Sequence, residues 1–134
     1  MVRMNDNTTM VNRKTILWLE DETDQAALMA KTFHENGYNT IVVDNAEDGL
    51  EMLTSITPDL LLVDIKLSGI DGIQFFKTVK QIEHLQHVPF IYLTAYNSLA
   101  MAIEAKKLGA TDYITKPFDV EYLLERIKEV LSQD

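Results

Sequence analysis

Short apolar segments alternate with longer amphipathic stretches along the chain. Five of these segments are bounded by polar or turn-forming residues, which is typical of buried β-strands, and they lie at 16–19, 40–43, 60–63, 90–93 and 113–114. A stretch with apolar residues at helical spacing follows each of them. The pattern therefore predicts five strand–helix pairs in succession.

Residues with capping preferences mark the ends of the predicted helices. The first helix is expected over 23–36, before Gly37, and the second after Asn45. The fourth is expected to begin after Ser98. The third, beginning at Asp71–Gly72, places an apolar face at Ile73, Phe76, Val79 and Ile82. The fifth follows Asp119 and is predicted to bury Val120, Leu123, Leu124, Ile127, Val130 and Leu131.

The strands are apolar almost throughout, which indicates a parallel sheet covered by helices on both faces. Five strand–helix units are too few for an eight-stranded barrel. We therefore predict an α/β fold, a doubly wound (βα)5 three-layer sandwich with a parallel five-stranded sheet of order 2-1-3-4-5, flavodoxin-like in architecture. This domain is expected over residues 15–134, behind a polar and aperiodic flexible N-terminal tail at 1–14.

Composition narrows the classes of function. The chain has 134 residues and no cysteine, which indicates one domain and excludes disulfides, thiolate catalysis and cysteine-bound zinc. A net charge of -9 repels phosphate backbones, so we expect no direct nucleic-acid binding. No apolar run approaches the ~20 residues of a membrane span. We expect a cytoplasmic protein.

Polar residues stand where the predicted strands end. Glu20 and Asp21 follow the first strand, Asp64 the third, Thr94 the fourth and Lys116 the fifth. In open α/β sheets ligands bind beyond the carboxyl ends of the strands, so these side chains are expected to converge. Crowded carboxylates need a cation, and their oxygens suit Mg²⁺. A lysine and a hydroxyl beside them suit a phosphoryl group, for which a carboxylate can be the nucleophile.

This set of residues resembles the response-regulator receiver domain of two-component signalling, the CheY-like family. The resemblance covers about residues 15–132 and is carried by Glu20-Asp21, Asp64, Thr94-Ala95, Tyr113 and Lys116-Pro117-Phe118. An acidic pair after a strand is common by itself. Five such pieces in the right order at the right strand ends make a specific signal.

The resemblance implies a phospho-acceptor and a metal site. Asp64 would accept a phosphoryl group from the phosphohistidine of a sensor histidine kinase or a histidine phosphotransfer protein. Mg²⁺ would be bound by Asp64 and Asp21, by Glu20 directly or through water, and by the backbone carbonyl of Lys66. Such a domain phosphorylates and dephosphorylates itself but is not a stand-alone enzyme.

The resemblance also assigns the phosphoryl contacts and a switch. Thr94 and Lys116 would hold the phosphoryl oxygens, and Ala95 would leave room for the group and contact it through its backbone. Tyr113 matches the aromatic residue that swings inward when Thr94 moves, which would change the surface of the fourth helix, fifth strand and fifth helix. The Lys116–Pro117 peptide bond is cis in the family.

Two further positions border the path of a hydrolytic water in the family. They are Lys66, two residues after the acceptor, and Tyr96, two residues after the threonine. Both carry long side chains here, so we expect slow self-dephosphorylation.

The oligomeric state and the output are open. Asp112 and Arg126 match two of the charged residues that pair across a dimer in winged-helix regulators of the family, but Tyr122 stands where a glutamate is usual. We expect a monomer or a weak phosphorylation-dependent dimer. The chain is either a free-standing receiver or the N-terminal module of a longer regulator, with an unknown output domain or target protein.

Three other functions fit these residues less well. A pseudo-receiver, a binding module read without phosphorylation, would not need the complete set of site residues. A haloacid-dehalogenase-like phosphotransferase needs a second aspartate two residues after the nucleophile, where Lys66 stands. A flavodoxin-like cofactor binder needs a phosphate-cradling loop after the first strand, and the acidic residues Glu20, Asp21 and Glu22 are electrostatically unsuited to that.

Overall fold

The computed structural model describes residues 13–66, 71–95 and 98–132. Five parallel strands form one sheet in the order β2-β1-β3-β4-β5, as predicted. The strands are β1 (Lys14–Leu19), β2 (Tyr38–Val43), β3 (Leu60–Val63), β4 (Phe90–Thr94) and β5 (Asp112–Thr115). The first strand thus begins at Lys14, one residue before the predicted start of the domain.

A helix follows each strand, which completes the predicted alternation. The helices are α1 (Thr23–Glu35), α2 (Ala46–Met52), α3 (Gly72–Lys80), α4 (Leu99–Lys107) and α5 (Val120–Leu131). The side chains of Asn45, Asp71, Ser98 and Asp119 accept hydrogen bonds from N–H groups of the first turns of α2 to α5. These are the residues from which the sequence predicted the helix starts, because a short polar side chain satisfies an otherwise unpaired N–H group there.

Alternation along the strands divides the core between the two faces of the sheet. In β1, Leu17 and Leu19 pack among residues of α2, α3 and α4, whereas Ile16 and Trp18 pack among residues of α1 and α5. Each face therefore has its own apolar cluster. The result is the predicted three-layer sandwich.

Two residues differ from the helix predictions. Helix α3 ends at Lys80, so Ile82 lies beyond it, because the N–H groups of Gln81 and Ile82 turn to the carbonyls three residues back and tighten the last turn. Ile82 nevertheless packs against the core. Val120 is 38% exposed at the start of α5, outside the buried stripe. Among the described residues, no helix has the length and apolar character that a membrane crossing requires.

Candidate functional site

The backbone hydrogen bonds of the sheet continue one residue past the strands. The N–H group of Glu20 donates to the carbonyl of Val43 at 2.9 Å, and that of Asp64 donates to Leu19 at 3.1 Å. The N–H group of Lys116 donates to the carbonyl of Thr94 at 2.9 Å. Because these bonds extend the sheet, they fix the predicted residues after β1, β3 and β5 at one edge.

The side chain of Lys116 joins two of the carboxylates. Its Nζ atom lies 3.1 Å from Oδ2 of Asp64 and also donates to Oε1 of Glu20. Glu20 is 2% exposed and Asp64 is 6% exposed. A buried carboxylate without a partner is costly, and the single lysine offsets part of the cost of removing both charges from water. The Lys116–Pro117 peptide bond is cis, as the family resemblance implied.

Burial and ion pairing have opposite effects on the pKa values of Glu20 and Lys116. Burial raises the pKa of Glu20 above its ordinary value, and the hydrogen bond and charge of Lys116 only partly offset that. Burial lowers the pKa of Lys116, but the bonds and charges of Glu20 and Asp64 outweigh it and the net pKa is raised. Lys116 is therefore a permanent cation at this site near neutral pH.

The acidic residues fit a divalent cation. Glu20, Asp21 and Asp64 each offer a carboxylate oxygen, and these atoms lie within 4.8 Å of one another. Asp21 is exposed, so the cluster is open to solvent on that side. Hard oxygen donors around a partly open position suit Mg²⁺, which keeps several of its water ligands.

A turn after β3 orients the carboxylate of Asp64. The N–H group of Lys66 donates to Oδ1 of Asp64 at 3.0 Å, while Oδ2 faces Lys116. The N–H group of Gly72 donates to the carbonyl of Ile65 at 2.8 Å and so fastens the start of α3 to this turn. Both oxygens of Asp64 thus have a hydrogen-bond donor, which sets the orientation of the carboxylate.

The remaining predicted residues lie on the neighbouring strands. Thr94 ends β4 and is fully buried, and Ala95 follows it in an exposed position. Tyr113 is half-buried on β5, with its ring 6.2 Å from the ring of Tyr92. The side chain of Lys66 is exposed. Tyr96 lies outside the described residues.

A cavity of about 490 Å³ opens beside Lys116, between α1 and the start of α5. Its walls include the apolar side chains of Met29, Phe118 and Val120. Trp18, on β1, is 2% exposed and also lines the cavity. The indole thus lies close to the residues of the acidic cluster, which share this cavity wall through Glu20.

The residues considered for a dimer are paired within the chain. Nε of Arg126 donates to Oδ2 of Asp112 at 2.7 Å, and a second guanidinium nitrogen of Arg126 donates to Glu129. Tyr122 is half-exposed on the same helix. An intermolecular pairing of Arg126 would have to compete with these internal bonds.

Two residues that shape the site were not predicted from the sequence. An ideal Cβ atom at Gly72 would lie 2.4 Å from the carbonyl oxygen of Asp64, so only glycine allows this close approach. The hydroxyl of Tyr92 donates to the carbonyl of Gly72 at 3.1 Å. Gly72 was interpreted only as the start of a helix, and Tyr92 only as part of a buried strand. The single available signal was a tyrosine within an otherwise apolar strand.

The fold and the site together define a class of protein. It is a doubly wound α/β domain whose strand ends bring together a buried aspartate, a lysine and an acidic cluster that can hold a divalent cation. The family model for the response regulator receiver domain matches residues 16–128. The chain therefore belongs to the family of response-regulator receiver domains.

Curated relatives agree with this assignment. The chain is 36% identical over 122 residues to sporulation initiation phosphotransferase F of Bacillus subtilis, and the match covers 91% of this chain and 96% of the relative. It is 35% identical over 120 residues to the phosphate regulon transcriptional regulatory protein PhoB of Pseudomonas aeruginosa, covering 90% of this chain. The match spans 52% of PhoB and 24% of the regulatory protein AtoC of Escherichia coli.

Solved structures share the fold. A putative response regulator from Chloroflexus aurantiacus has a TM-score of 0.84 at 30% identity, with 91% of this chain and 100% of that chain covered. A CheY-like receiver domain protein from Methanospirillum hungatei has a TM-score of 0.84 at 29% identity, with 90% and 95% covered. The BeF3-activated receiver domain of RstA from Klebsiella pneumoniae has a TM-score of 0.82 at 28% identity, with 90% and 100% covered.

Proposed function

We propose that this receiver domain is a phospho-acceptor switch in which Asp64 takes the phosphoryl group from a phosphohistidine in a Mg²⁺-dependent reaction. One observation carries the proposal. Asp64 is nearly buried, yet its Oδ1 is oriented by the N–H group of Lys66 and its Oδ2 faces the ammonium of Lys116. A nucleophilic carboxylate needs such positioning, because phosphoryl transfer depends mainly on alignment and charge neutralisation.

The reaction is a displacement at phosphorus. A carboxylate oxygen of Asp64 forms the new P–O bond while the P–N bond to the donor imidazole breaks, and the bonding pair leaves with that nitrogen. The cation of Lys116 neutralises charge on the transferring oxygens. Mg²⁺, when bound by Glu20, Asp21, Asp64 and the carbonyl of Lys66, supplies further neutralisation of that charge.

The residues on β4 and β5 are proposed to contact the phosphoryl group and to change conformation in response to it. Thr94 would donate its hydroxyl to a phosphoryl oxygen, and the backbone of Ala95, beside a small side chain, would contact another. Movement of Thr94 would draw Tyr113 inward. The surface formed by α4, β5 and α5 would then shift towards a different conformation. The support is the position of Thr94, buried at the end of the strand between Asp64 and Tyr113 in the sheet order.

The proposed donor is a sensor histidine kinase or a histidine phosphotransfer protein. Apolar side chains of α1 and α5, among them Met29 and Val120, line the cavity beside Lys116, and Leu28 of α1 is 73% exposed. A donor protein must bring its imidazole to Asp64, and apolar surface beside the site suits that contact. A cytoplasmic location follows from such a donor. The domain is proposed to act through an output domain or a target protein and not as a stand-alone enzyme.

Self-dephosphorylation is proposed to be slow. The side chain of Lys66 is exposed directly beside the acceptor, where it would restrict the approach of a hydrolytic water. Tyr96, two residues after Thr94 in the sequence, is proposed to restrict the same path.

The test is a phosphorylation assay with acetyl phosphate, in the presence and absence of Mg²⁺. Intact mass should rise by one phosphoryl group only with Mg²⁺, and Trp18 emission should change because the indole borders the site. No mass increase under any of these conditions would favour the alternative, a phosphorylation-independent pseudo-receiver.

A further inference from the structure

The ring of Tyr92 is held from several sides in the core of one sheet face. It is fully buried and packs edge-on against Phe76, with ring centroids 6.0 Å apart, and beside Phe90 and Tyr113 at 5.3 and 6.2 Å. Aromatic neighbours in such arrangements restrict the ring to one orientation. The direction of the hydroxyl is therefore set by packing.

A hydroxyl in this place needs a partner, because burying it unpaired is costly. The partner is the carbonyl oxygen of Gly72, 3.1 Å away and 20 residues earlier in the chain. Burial, followed by the charges of Asp71, Glu104 and Tyr113, raises the pKa of Tyr92 far above its ordinary value of 10.0. The group is thus a donor throughout the physiological pH range.

Gly72 lies directly against the turn after β3 that contains Asp64, Ile65 and Lys66. Its N–H group donates to the carbonyl of Ile65, and its missing side chain lets the backbone approach the carbonyl of Asp64. The N–H group of that same Ile65–Lys66 peptide unit, which belongs to Lys66, donates to the carboxylate of Asp64. Hydrogen bonds and direct packing therefore connect the hydroxyl of Tyr92 to the nucleophile.

We propose that the hydroxyl of Tyr92 is a positioning group for the acceptor, which holds the peptide of Gly72 and through it the turn that orients Asp64 and the carbonyl of Lys66. Packing alone does not need this hydroxyl, since a phenylalanine would fill the same ring position. The inference rests on the proposed function insofar as Asp64 is the acceptor. The hydrogen bond from Tyr92 to Gly72 restrains the turn after β3 in the metal-free protein, so this restraint can be measured without Mg²⁺.

The test compares Tyr92→Phe with the wild type by NMR amide hydrogen exchange on the full chain without Mg²⁺. Loss of one buried hydrogen bond is expected to speed exchange at Gly72 and Lys66 by about tenfold. Amides in β1 and β3 should be changed by much less. Tyr38→Phe is the matched control, because Tyr38 is half-buried and packs on the opposite face of the sheet.

A merely structural role gives a different result. If exchange at Gly72 and Lys66 speeds up only as much as in the core strands, Tyr92 stabilises the whole fold and the positioning proposal is overturned. Unchanged exchange at Gly72 and Lys66 in Tyr92→Phe overturns it as well.

The second measurement is Mg²⁺ affinity, followed by Trp18 emission, together with acetyl phosphate labelling. Tyr92→Phe should weaken Mg²⁺ binding and slow labelling by about threefold to tenfold, whereas Tyr38→Phe should match the wild type. Wild-type affinity and labelling rates in Tyr92→Phe would overturn the positioning role. Failure of the wild type to be labelled would instead contradict the proposed function. The hydrogen-exchange result would still show whether Tyr92 restrains the turn after β3.

Discussion

The ammonium of Lys116 lies 3.1 Å from a carboxylate oxygen of Asp64, although 52 positions separate the two residues in the chain. The same ammonium also binds Glu20, so one cation serves two buried carboxylates. This arrangement is a consequence of parallel strands β1, β3 and β5 ending at one edge of the sheet. Under the proposed function, the lysine would exchange one carboxylate partner for an oxygen of the incoming phosphoryl group.

The first prediction concerns the nucleophile. Asp64→Asn should fold but gain no phosphoryl mass from acetyl phosphate and Mg²⁺, because an amide is a poor nucleophile. Asp44→Asn is the control, since Asp44 is an exposed carboxylate after β2 at the same edge of the sheet. Intact mass spectrometry reads out both. Equal labelling of Asp64→Asn and the wild type would place the acceptor elsewhere.

The second prediction concerns the acidic cluster. Mg²⁺ at about 100-fold its dissociation constant should raise the free energy of unfolding by about 2.7 kcal/mol, because it binds only the folded site. Asp21→Ala should stabilise the metal-free protein by relieving repulsion and should abolish the Mg²⁺ effect. Asp44→Ala should keep that effect. Thermal melts with and without Mg²⁺ check this, and a Mg²⁺-insensitive wild type would contradict the assembled site.

The third prediction concerns the close approach of Gly72 to Asp64. Gly72→Ala should lose about 2 kcal/mol or more in urea denaturation, because the added methyl group meets backbone atoms that cannot rotate away. Gly49→Ala is the control: there the new methyl group meets the side chains of Leu19 and Phe75, which can shift. If Gly49→Ala lost as much free energy of unfolding as Gly72→Ala, the result would argue against a special close approach of Gly72 to the backbone of Asp64.

The fourth prediction concerns the lifetime of the phosphoryl-aspartate. Tyr96→Ala and Lys66→Asn should each speed decay by on the order of tenfold, equivalent to ~1.4 kcal/mol off the barrier, by opening the path of the hydrolytic water. The decay of phosphorylated protein after removal of the donor is the measurement. Wild-type decay in both variants would remove the shielding role and leave the family assignment untouched.

The fifth prediction is a pH dependence from Tyr92. Burial raises its folded-state pKa above the ordinary 10.0, so the folded state holds this proton more tightly than the unfolded state. The associated stability is present below pH 10 and is lost as the pH rises above it. The stability advantage of the wild type over Tyr92→Phe should therefore shrink between about pH 9 and pH 11.

Urea denaturation at both pH values measures this difference. Tyr122→Phe is the control, because that side chain is 49% exposed and keeps contact with water in the folded state. A constant difference between the wild type and Tyr92→Phe across this range would show that the hydroxyl keeps the same environment on unfolding.

Much of the fold was predictable from local patterns. The segment Leu60–Val63 is apolar at every position and is a fully buried strand, because a central parallel strand is covered on both faces. The capping residues Asn45 and Asp119 marked the helix starts for an equally local reason, since their side chains bond N–H groups only two or three residues away. The alternation of strands and helices indicated a doubly wound parallel sheet, for which 2-1-3-4-5 is one of the common strand orders.

The candidate site was predictable where it depends on strand ends. The sequence by itself determined that residues after β1, β3 and β5 share one edge, so the proximity of Glu20, Asp64 and Lys116 follows from topology. Which oxygen of Asp64 faces the lysine and which faces the N–H group of Lys66 was decided only by the tertiary structure. Such choices depend on side-chain rotamers and on the path of the turn, which no local pattern encodes.

The contact between Tyr92 and Gly72 is the clearest example of a feature that local sequence patterns do not predict. Apolar periodicity placed Tyr92 in a buried strand but treated it as one more large side chain. The partner of its hydroxyl lies on α3, and the two meet only because β4 pairs with β3 and α3 packs on the face of the sheet that holds Tyr92. A buried polar group must be paired, yet the identity of its partner is a property of the packed core and not of the chain around it.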